Sequence, residues 1–196
     1  MKAVVVSRAG GPEVLEVLER ELPSIKPGWS LVKVMGFGIN HSEIFTRQGL
    51  SPSVTFPRVL GIEMVGVIEE TSDPSRLSVG QKVVSIMGEM GRAYDGGYAE
   101  YALLPNDNLY TIETNLDWRD LASVPETYYT AYGSMKNLKI EAKDRILVRA
   151  GSSGVGQAFA KLVRARFPEV RLVASVRRLD KEEKILAAGF DQVILD

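Results

Sequence analysis

Apolar positions follow two different rhythms along this chain. Up to about residue 117 they come in short β-branched runs parted by turn residues: KAVVV, then AGGPE, SLVKVMGFGIN, a second apolar run around VLGIEMVGVIEE, and QKVVSIMG. Runs of that length, bounded by Gly, Pro, Asn and Ser, predict an antiparallel β-rich domain. Within it, His41 to Arg47 (HSEIFTR) is predicted as one short helix closed by Gln48-Gly49. SDPSRLSVGQKVV carries Pro and Gly at turn spacing ahead of a strand, and YDGGYAEYALLP sets Gly96-Gly97 before an alternating strand that Pro105 stops.

Near Asp117 the period becomes helical. DWRDLASVPETYYTAYGSMKNL has helical spacing, with Pro125 breaking it or beginning a new turn. RILVRA, GSSG, VGQAFAKLVRARF, VRLVASV, DKEEKILAAG and QVILD then read as strand, loop, helix, strand, helix, strand. That alternation predicts βαβ units on a parallel sheet. Asp180 with Glu183 three residues on has the form of a capping box, and Gly189 supplies the stop. The expected class is α/β, with a β-rich domain over 1–117 and a βα-wound domain over 118–196.

Composition narrows the chemistry. The chain has 196 residues, 45% of them hydrophobic and 25% charged, which suits a packed globular core. No apolar run has the ~20 residues of a membrane span, and the start is too short in apolar residues for a signal peptide, so a cytoplasmic protein is expected. There is no cysteine, which excludes disulfides, thiolate nucleophiles and thiolate metal sites, and His41 is the one histidine. The formal charge of −1 conceals an asymmetry: residues 1–117 hold 10 Lys and Arg against 15 Asp and Glu, residues 118–196 hold 14 against 10. The basic half favours an anionic ligand. No basic run is interleaved with aromatics, so nucleic acid is not an expected partner.

The stretch RAGSSGVGQAFAK sits in that basic half, between a strand and a helix. Gly151, Ser153 and Gly156 occupy the three glycine places of the dinucleotide fingerprint G-x-G-x-x-G, with serine in the middle. The fingerprint's glycines permit a tight turn, approach of backbone to a pyrophosphate, and close packing of helix on strand. Ser152, Gly154 and Val155 complete the loop, and a helix starting near Val155 would turn free N–H groups toward the anion. A ligand-free tight turn would use the same residues. No Gly-Lys-Ser/Thr follows, so this is not a P-loop. An NAD-type unit places an acid about 20 residues further on, to grip the ribose 2′-hydroxyl. Here the strand ends in Ser175-Val176-Arg177-Arg178, with Lys181 beyond. Guanidinium groups there suit a 2′-phosphate, so NADP(H) is the expected cofactor. Otherwise they are solvated arginines at a strand end.

Taken in order, GINHSE, VLGIEMVGVI, VGQKVV, GGYAEY, VPETYYTAYGSM and GSSGVG resemble the medium-chain dehydrogenase/reductase superfamily, and within it the zinc-free quinone oxidoreductases. The resemblance covers the whole chain. It implies a GroES-like first domain, a Rossmann second domain, and a cleft between them where substrate meets nicotinamide. Zinc-dependent branches use a cysteine and a histidine where this chain has Asn40 and Ile62, and isoleucine cannot bind a metal; Glu63 of that second motif remains. The four-cysteine structural lobe is missing too.

The resemblance further implies that Asn40 hydrogen-bonds in the cleft and that Thr130 contacts the nicotinamide end. By the same resemblance the 152–156 loop holds pyrophosphate, and Arg177, Arg178 and Lys181 lie near the adenosine phosphate. From the residues alone, Asn40 is equally a turn residue after Gly38, and Thr130 a helix residue bonding its own backbone. Phe45 and Ser51 stand where quinone reductases often have tyrosines, so Phe45 makes the reaction pocket more apolar. The expected activity is zinc-independent, NADPH-dependent hydride transfer to a quinone or an α,β-unsaturated carbonyl. The alternatives are a binding or regulatory module with a vestigial cofactor site, and an alcohol dehydrogenase with metal held by Glu63 and His41. Three of the six strands of a doubly wound sheet are present, so the chain is expected to be the N-terminal part of such a protein. An exposed apolar edge strand would favour a homo-oligomer.

Overall fold

The computed structural model describes all 196 residues, which divide into two compact units, 1–126 and 127–196. In the first unit, β1 (Lys2–Val6), β2 (Leu15–Glu19), β3 (Trp29–Gly36), α1 (Ser42–Arg47), β4 (Arg58–Val59), β5 (Glu63–Thr71), β6 (Lys82–Ile86), β7 (Tyr101–Pro105), β8 (Tyr110–Thr111) and α2 (Trp118–Ala122) follow in order. They build two sheets, one of three strands ordered β2-β1-β4 and one of five ordered β7-β3-β5-β6-β8, with every pairing antiparallel. Alternation sets the faces: β7 reads half-buried, buried, half-buried along YALLP, sending Ala102 and Leu104 into a core with Val32, Met64, Ile68 and Leu77. Fully burying side chains of this size stabilises by about 1.5–3 kcal/mol each. A smaller core gathers Val5, Val6, Val14, Val59 and Leu60 under the three-stranded sheet.

The β-rich expectation holds, and α1 ends as predicted, with Gln48 as its cap and Gly49 at φ +76°. Three strands carry no clear mark in the sequence. β4 and β8 have two residues each, too few to show an alternation, and all five residues of β2 are exposed.

The second unit contains most of α3 (Pro125–Leu138), which begins at the proline, followed by β9 (Arg145–Arg149), α4 (Gly154–Arg166), β10 (Arg171–Val176), α5 (Glu182–Ala187) and β11 (Gln192–Leu195). The strands pair in parallel in the order β11-β10-β9. This is the 3-2-1 order of the first half of a Rossmann sheet. Ala158, Phe159, Ala160 and Val163 give α4 its apolar stripe, which packs with Leu172, Ala174, Val176, Ile185 and Phe190. Arg164, near the end of α4, donates to the carbonyls of Pro168, Val170 and Gly189, closing that end of the helix against the following turns.

The capping box expected at Asp180 does not form. The α5 cap is Lys181, with no side-chain capping bond, because a turn closed by Glu182 N–H donating to the Leu179 carbonyl starts the helix one residue later. Gly189 follows the helix at φ +109°, a left-handed stop that a side chain would strain. No helix is long and apolar enough to cross a membrane.

Candidate functional site

In the first unit the candidate chemistry gathers where α1 meets the start of β5. Asn40 donates from both of its nitrogens: its backbone amide to Glu43 Oε2 at 2.6 Å and its Nδ2 to Glu63 Oε1 at 2.7 Å. The side chain therefore bridges to β5 and does not cap α1. Glu43, on α1, also accepts from the Ile62 amide at 2.9 Å on Oε1 and from the Tyr98 hydroxyl on Oε2. Glu63 Oε2 takes the Glu126 amide at 2.8 Å. Both carboxylates are buried, at 5% and 2% exposure. A Cβ on Gly38 would fall 2.0 Å from Glu63 Oε1, so only glycine leaves room for the carboxylate there.

These buried acids have shifted titrations. Burial pushes the Glu43 carboxyl above its ordinary range, against hydrogen bonds from Tyr98, Asn40 and Ile62 that pull it down; the Glu63 charge adds to the rise. Burial likewise raises Glu63, opposed by its bonds from Asn40 and Glu126. The Tyr98 hydroxyl is raised by burial first and by its bond to Glu43 next, so it stays protonated.

A carboxyl whose folded pKa lies above the unfolded value, ordinarily 4.5, binds more protons folded than unfolded. The stability it contributes is complete below that value and is lost as pH rises through the folded pKa. Urea midpoints are expected to fall as pH rises above the ordinary carboxylate range. Glu63→Gln, which removes one such proton site, should flatten that slope; an unchanged slope would show that Glu63 titrates normally.

A pocket of ≈ 350 Å³ opens beside this network, lined by Phe37, Ile39, Ile44, Leu60 and other apolar residues, with Asn40, Glu43, Arg47 and Tyr98 as its polar groups. Phe45 is 48% exposed and lies outside this lining; His41 meets it edge-on at 5.5 Å. Ser51 shares a 2.7 Å hydroxyl bond with Thr46. Glu63 and His41, the pair a metal would need, differ in setting. Both Glu63 oxygens hold N–H donors, whereas His41 is exposed against Phe45.

In the second unit the glycine loop joins β9 to α4. Ser153 is the helix cap, its Oγ accepting from the Gly156 amide at 3.0 Å. Residues 152–155 are exposed, while Gly151 and Gly156 are buried. A Cβ on Gly151 would lie 2.5 Å from that of Ala174, and one on Gly156 would lie 2.8 Å from the Ala150 carbonyl oxygen. Helix and sheet thus approach too closely for any side chain at either place. The Gly151 amide donates at 3.2 Å to the carbonyl of Ser175, which draws the end of β10 against the loop. Arg177, Arg178 and Lys181 follow on exposed turns. Ser175 points inward, its buried hydroxyl donating to Asp196 Oδ1 at 2.7 Å. Thr130 is exposed on α3, and its carbonyl accepts from the Ser134 hydroxyl.

The residue reading missed Glu43, Tyr98 and Asp196. Glu43 stood within the quoted GINHSE, but its partner Tyr98 is 55 positions away, a pairing that only the fold reveals.

The β-rich unit is a GroES-like domain and the parallel sheet is the start of a Rossmann domain. Residues 26–114 match the alcohol dehydrogenase GroES-like domain family. Human quinone oxidoreductase is 34% identical over 169 residues, covering 84% of this chain and 50% of that protein. The crystal structure of a quinone oxidoreductase from Pseudomonas syringae pv. tomato superposes with a TM-score of 0.88 at 27% identity, over 98% of this chain and 58% of that one. A mycobacterial protein solved in complex with NADPH gives a TM-score of 0.84 at 28% identity, over 99% of this chain and 58% of that one. These similarities support the medium-chain dehydrogenase/reductase superfamily and its quinone oxidoreductase-like branch. It spans about half the length of the curated relatives it matches.

Proposed function

We propose that this chain is the nucleotide-binding and substrate-lining part of a zinc-independent, NADPH-dependent oxidoreductase acting on quinones or α,β-unsaturated carbonyls. The observation that carries the reading is the corner where the Gly151 amide meets the Ser175 carbonyl. It brings an exposed loop beside a strand end that continues into two exposed arginines.

The residues fit the cofactor. The amides of Ser152, Gly154 and Val155 make no bond within the chain, in a loop leading into a 13-residue helix whose N-terminal dipole favours an anion. Ser153 spends its lone pair on Gly156 and keeps its hydroxyl proton to donate to a phosphate oxygen. Arg177 and Arg178, with Lys181, would pair with a 2′-phosphate, and Asp196, which follows β11, is taken up by Ser175 and Arg149. Bound there, NADPH would supply the hydride. Thr130 would hydrogen-bond its nicotinamide end and Asn40 would orient the acceptor. The relative solved with NADPH and the quinone oxidoreductases among the similar proteins support both choices.

Zinc-independence is supported by the filled hydrogen bonding of Glu63 and by Asn40 and Ile62 at the ligand positions. Quinones and enones are electrophilic without a Lewis acid. NADPH consumption by chelator-treated protein, with a naphthoquinone or cyclohexenone as acceptor, tests the reading. Turnover indifferent to the chelator is expected. Loss of turnover on chelation, or no consumption with either acceptor, would contradict it.

A further inference from the structure

In the second unit, α3 and α4 end beside another cavity, of ≈ 270 Å³. It lies at the opposite end of α4 from the glycine loop, about 18 Å along a 13-residue helix. Its lining has an apolar part and a charged part. Met135 and Ile140 are buried members of the unit's core, and the rings of Tyr132 and Phe167 add aromatic surface to them. Every charged group in the lining is a cation: Lys136, Lys139 and Arg166, all three exposed.

Cations near helix C-termini ordinarily serve the helix, bonding its last carbonyls and answering its dipole. At α4 that role is filled by Arg164, which donates to the carbonyls of Pro168, Val170 and Gly189 and pairs with Asp191. Arg166 makes no such bond; its guanidinium carbon stands 5.9 Å from the centre of the Phe167 ring. Nor does Lys136 or Lys139 take part in any ion pair or side-chain hydrogen bond of the chain. Lys139 follows α3 at φ +51°, a left-handed place where glycine is the ordinary choice. A lysine there strains the backbone and sets a cation on the cavity where glycine would set none.

We propose that this cavity binds small aromatic anions, with aryl phosphate monoesters as the class it matches best. The ring packs on Met135, Ile140 and the two aromatic side chains, and the phosphate meets Lys136, Lys139 and Arg166. A phosphate monoester carries a charge of about −2 at pH 8 and three acceptor oxygens, which suits a set of donors with no carboxylate among them. A flat apolar body suits a floor that neither donates nor accepts. The volume is at the small end for ligand pockets, so the body is limited to one or two rings. The inference goes beyond the NADPH reading, since the cavity shares no residue with the glycine loop or the arginine corner.

The probes are 1-naphthyl phosphate, 1-naphthol and inorganic phosphate, each titrated into the full chain at about pH 8 and followed by ligand-observed proton or phosphorus NMR. The ester should bind about tenfold more tightly than either of the others, because only it joins ring burial to charge pairing. Lys136→Gln combined with Arg166→Gln should weaken the ester about tenfold and leave naphthol within about twofold; both side chains are exposed, so the fold is expected to survive. Lys139→Gly separates backbone from charge: the urea midpoint should rise, while affinity for the ester falls about threefold. Equal binding of ester and naphthol would reduce the cavity to an apolar patch, and equal binding of ester and inorganic phosphate would reduce it to surface charge. Either result, or no binding of the ester, would overturn the proposal. An ester seated at the arginine corner instead would be weakened by the Arg177→Ala, Arg178→Ala pair and indifferent to the Lys136 and Arg166 pair, and that pattern would overturn it as well. None of these outcomes bears on the NADPH reading, and failure to bind NADPH leaves this proposal standing.

Discussion

Replacing Arg177 and Arg178 together with alanine is expected to weaken NADPH binding by about a hundredfold and to leave NADH within about twofold. Hydrogen bonds to charged groups contribute about 1.5–3 kcal/mol each, and a hundredfold is about 2.7 kcal/mol. Both side chains are exposed, so little desolvation offsets the pairing, but water screens it and the low end of the range applies to each. Lys181 remains in the double variant and would hold part of the affinity. Calorimetric titration of both nucleotides checks this. Equal weakening of NADPH and NADH would mean that the arginines serve the loop and not the 2′-phosphate. No change in either would leave them as solvated charges.

The second large effect lies in the first unit. Glu43→Ala should lower unfolding free energy by about 3–4 kcal/mol, since it strips acceptors from the Asn40 amide, the Ile62 amide and the Tyr98 hydroxyl together. Relief from burying a carboxylate, and water entering the space, offset part of the loss from three orphaned donors. Glu43→Gln keeps one acceptor oxygen but turns an N–H toward other donors, so about 1–2 kcal/mol is expected. Urea denaturation with an unchanged slope measures both. An alanine variant no less stable than the glutamine one would show that the three donors find other partners, and that Glu43 does not tie α1 to the β5 entry.

The change of rhythm near Asp117 made the two-part architecture legible, because alternation in the first part and βα spacing in the second are local properties. The glycine loop was legible for the same reason: strand, turn residues and helix are consecutive. At the level of contacts, sequence spoke less clearly. Ser153, in the middle glycine's place, stands in a loop expected to hold pyrophosphate, and its own bond in the structure is the α4 cap. Asn40 as a turn residue and Asn40 as a cleft residue were equal on the sequence. The side-chain partner that the structure gives Asn40 is Glu63, 23 positions away, reached only because β5 brings it to the end of α1. Ser175 begins the strand end where a dinucleotide-binding unit meets its ribose, yet β11 runs beside β10 and delivers Asp196 to its hydroxyl. Each of these partners is distant in sequence, so neither spacing nor periodicity could find it.

The central claim is that the glycine loop and the arginine corner together form a site for NADPH. Calorimetric titration of the wild-type chain with NADPH and, separately, with NADH tests it most directly. The account predicts one site, with NADPH bound about 10–100-fold more tightly. Equal affinities, or heat from neither nucleotide, would contradict it.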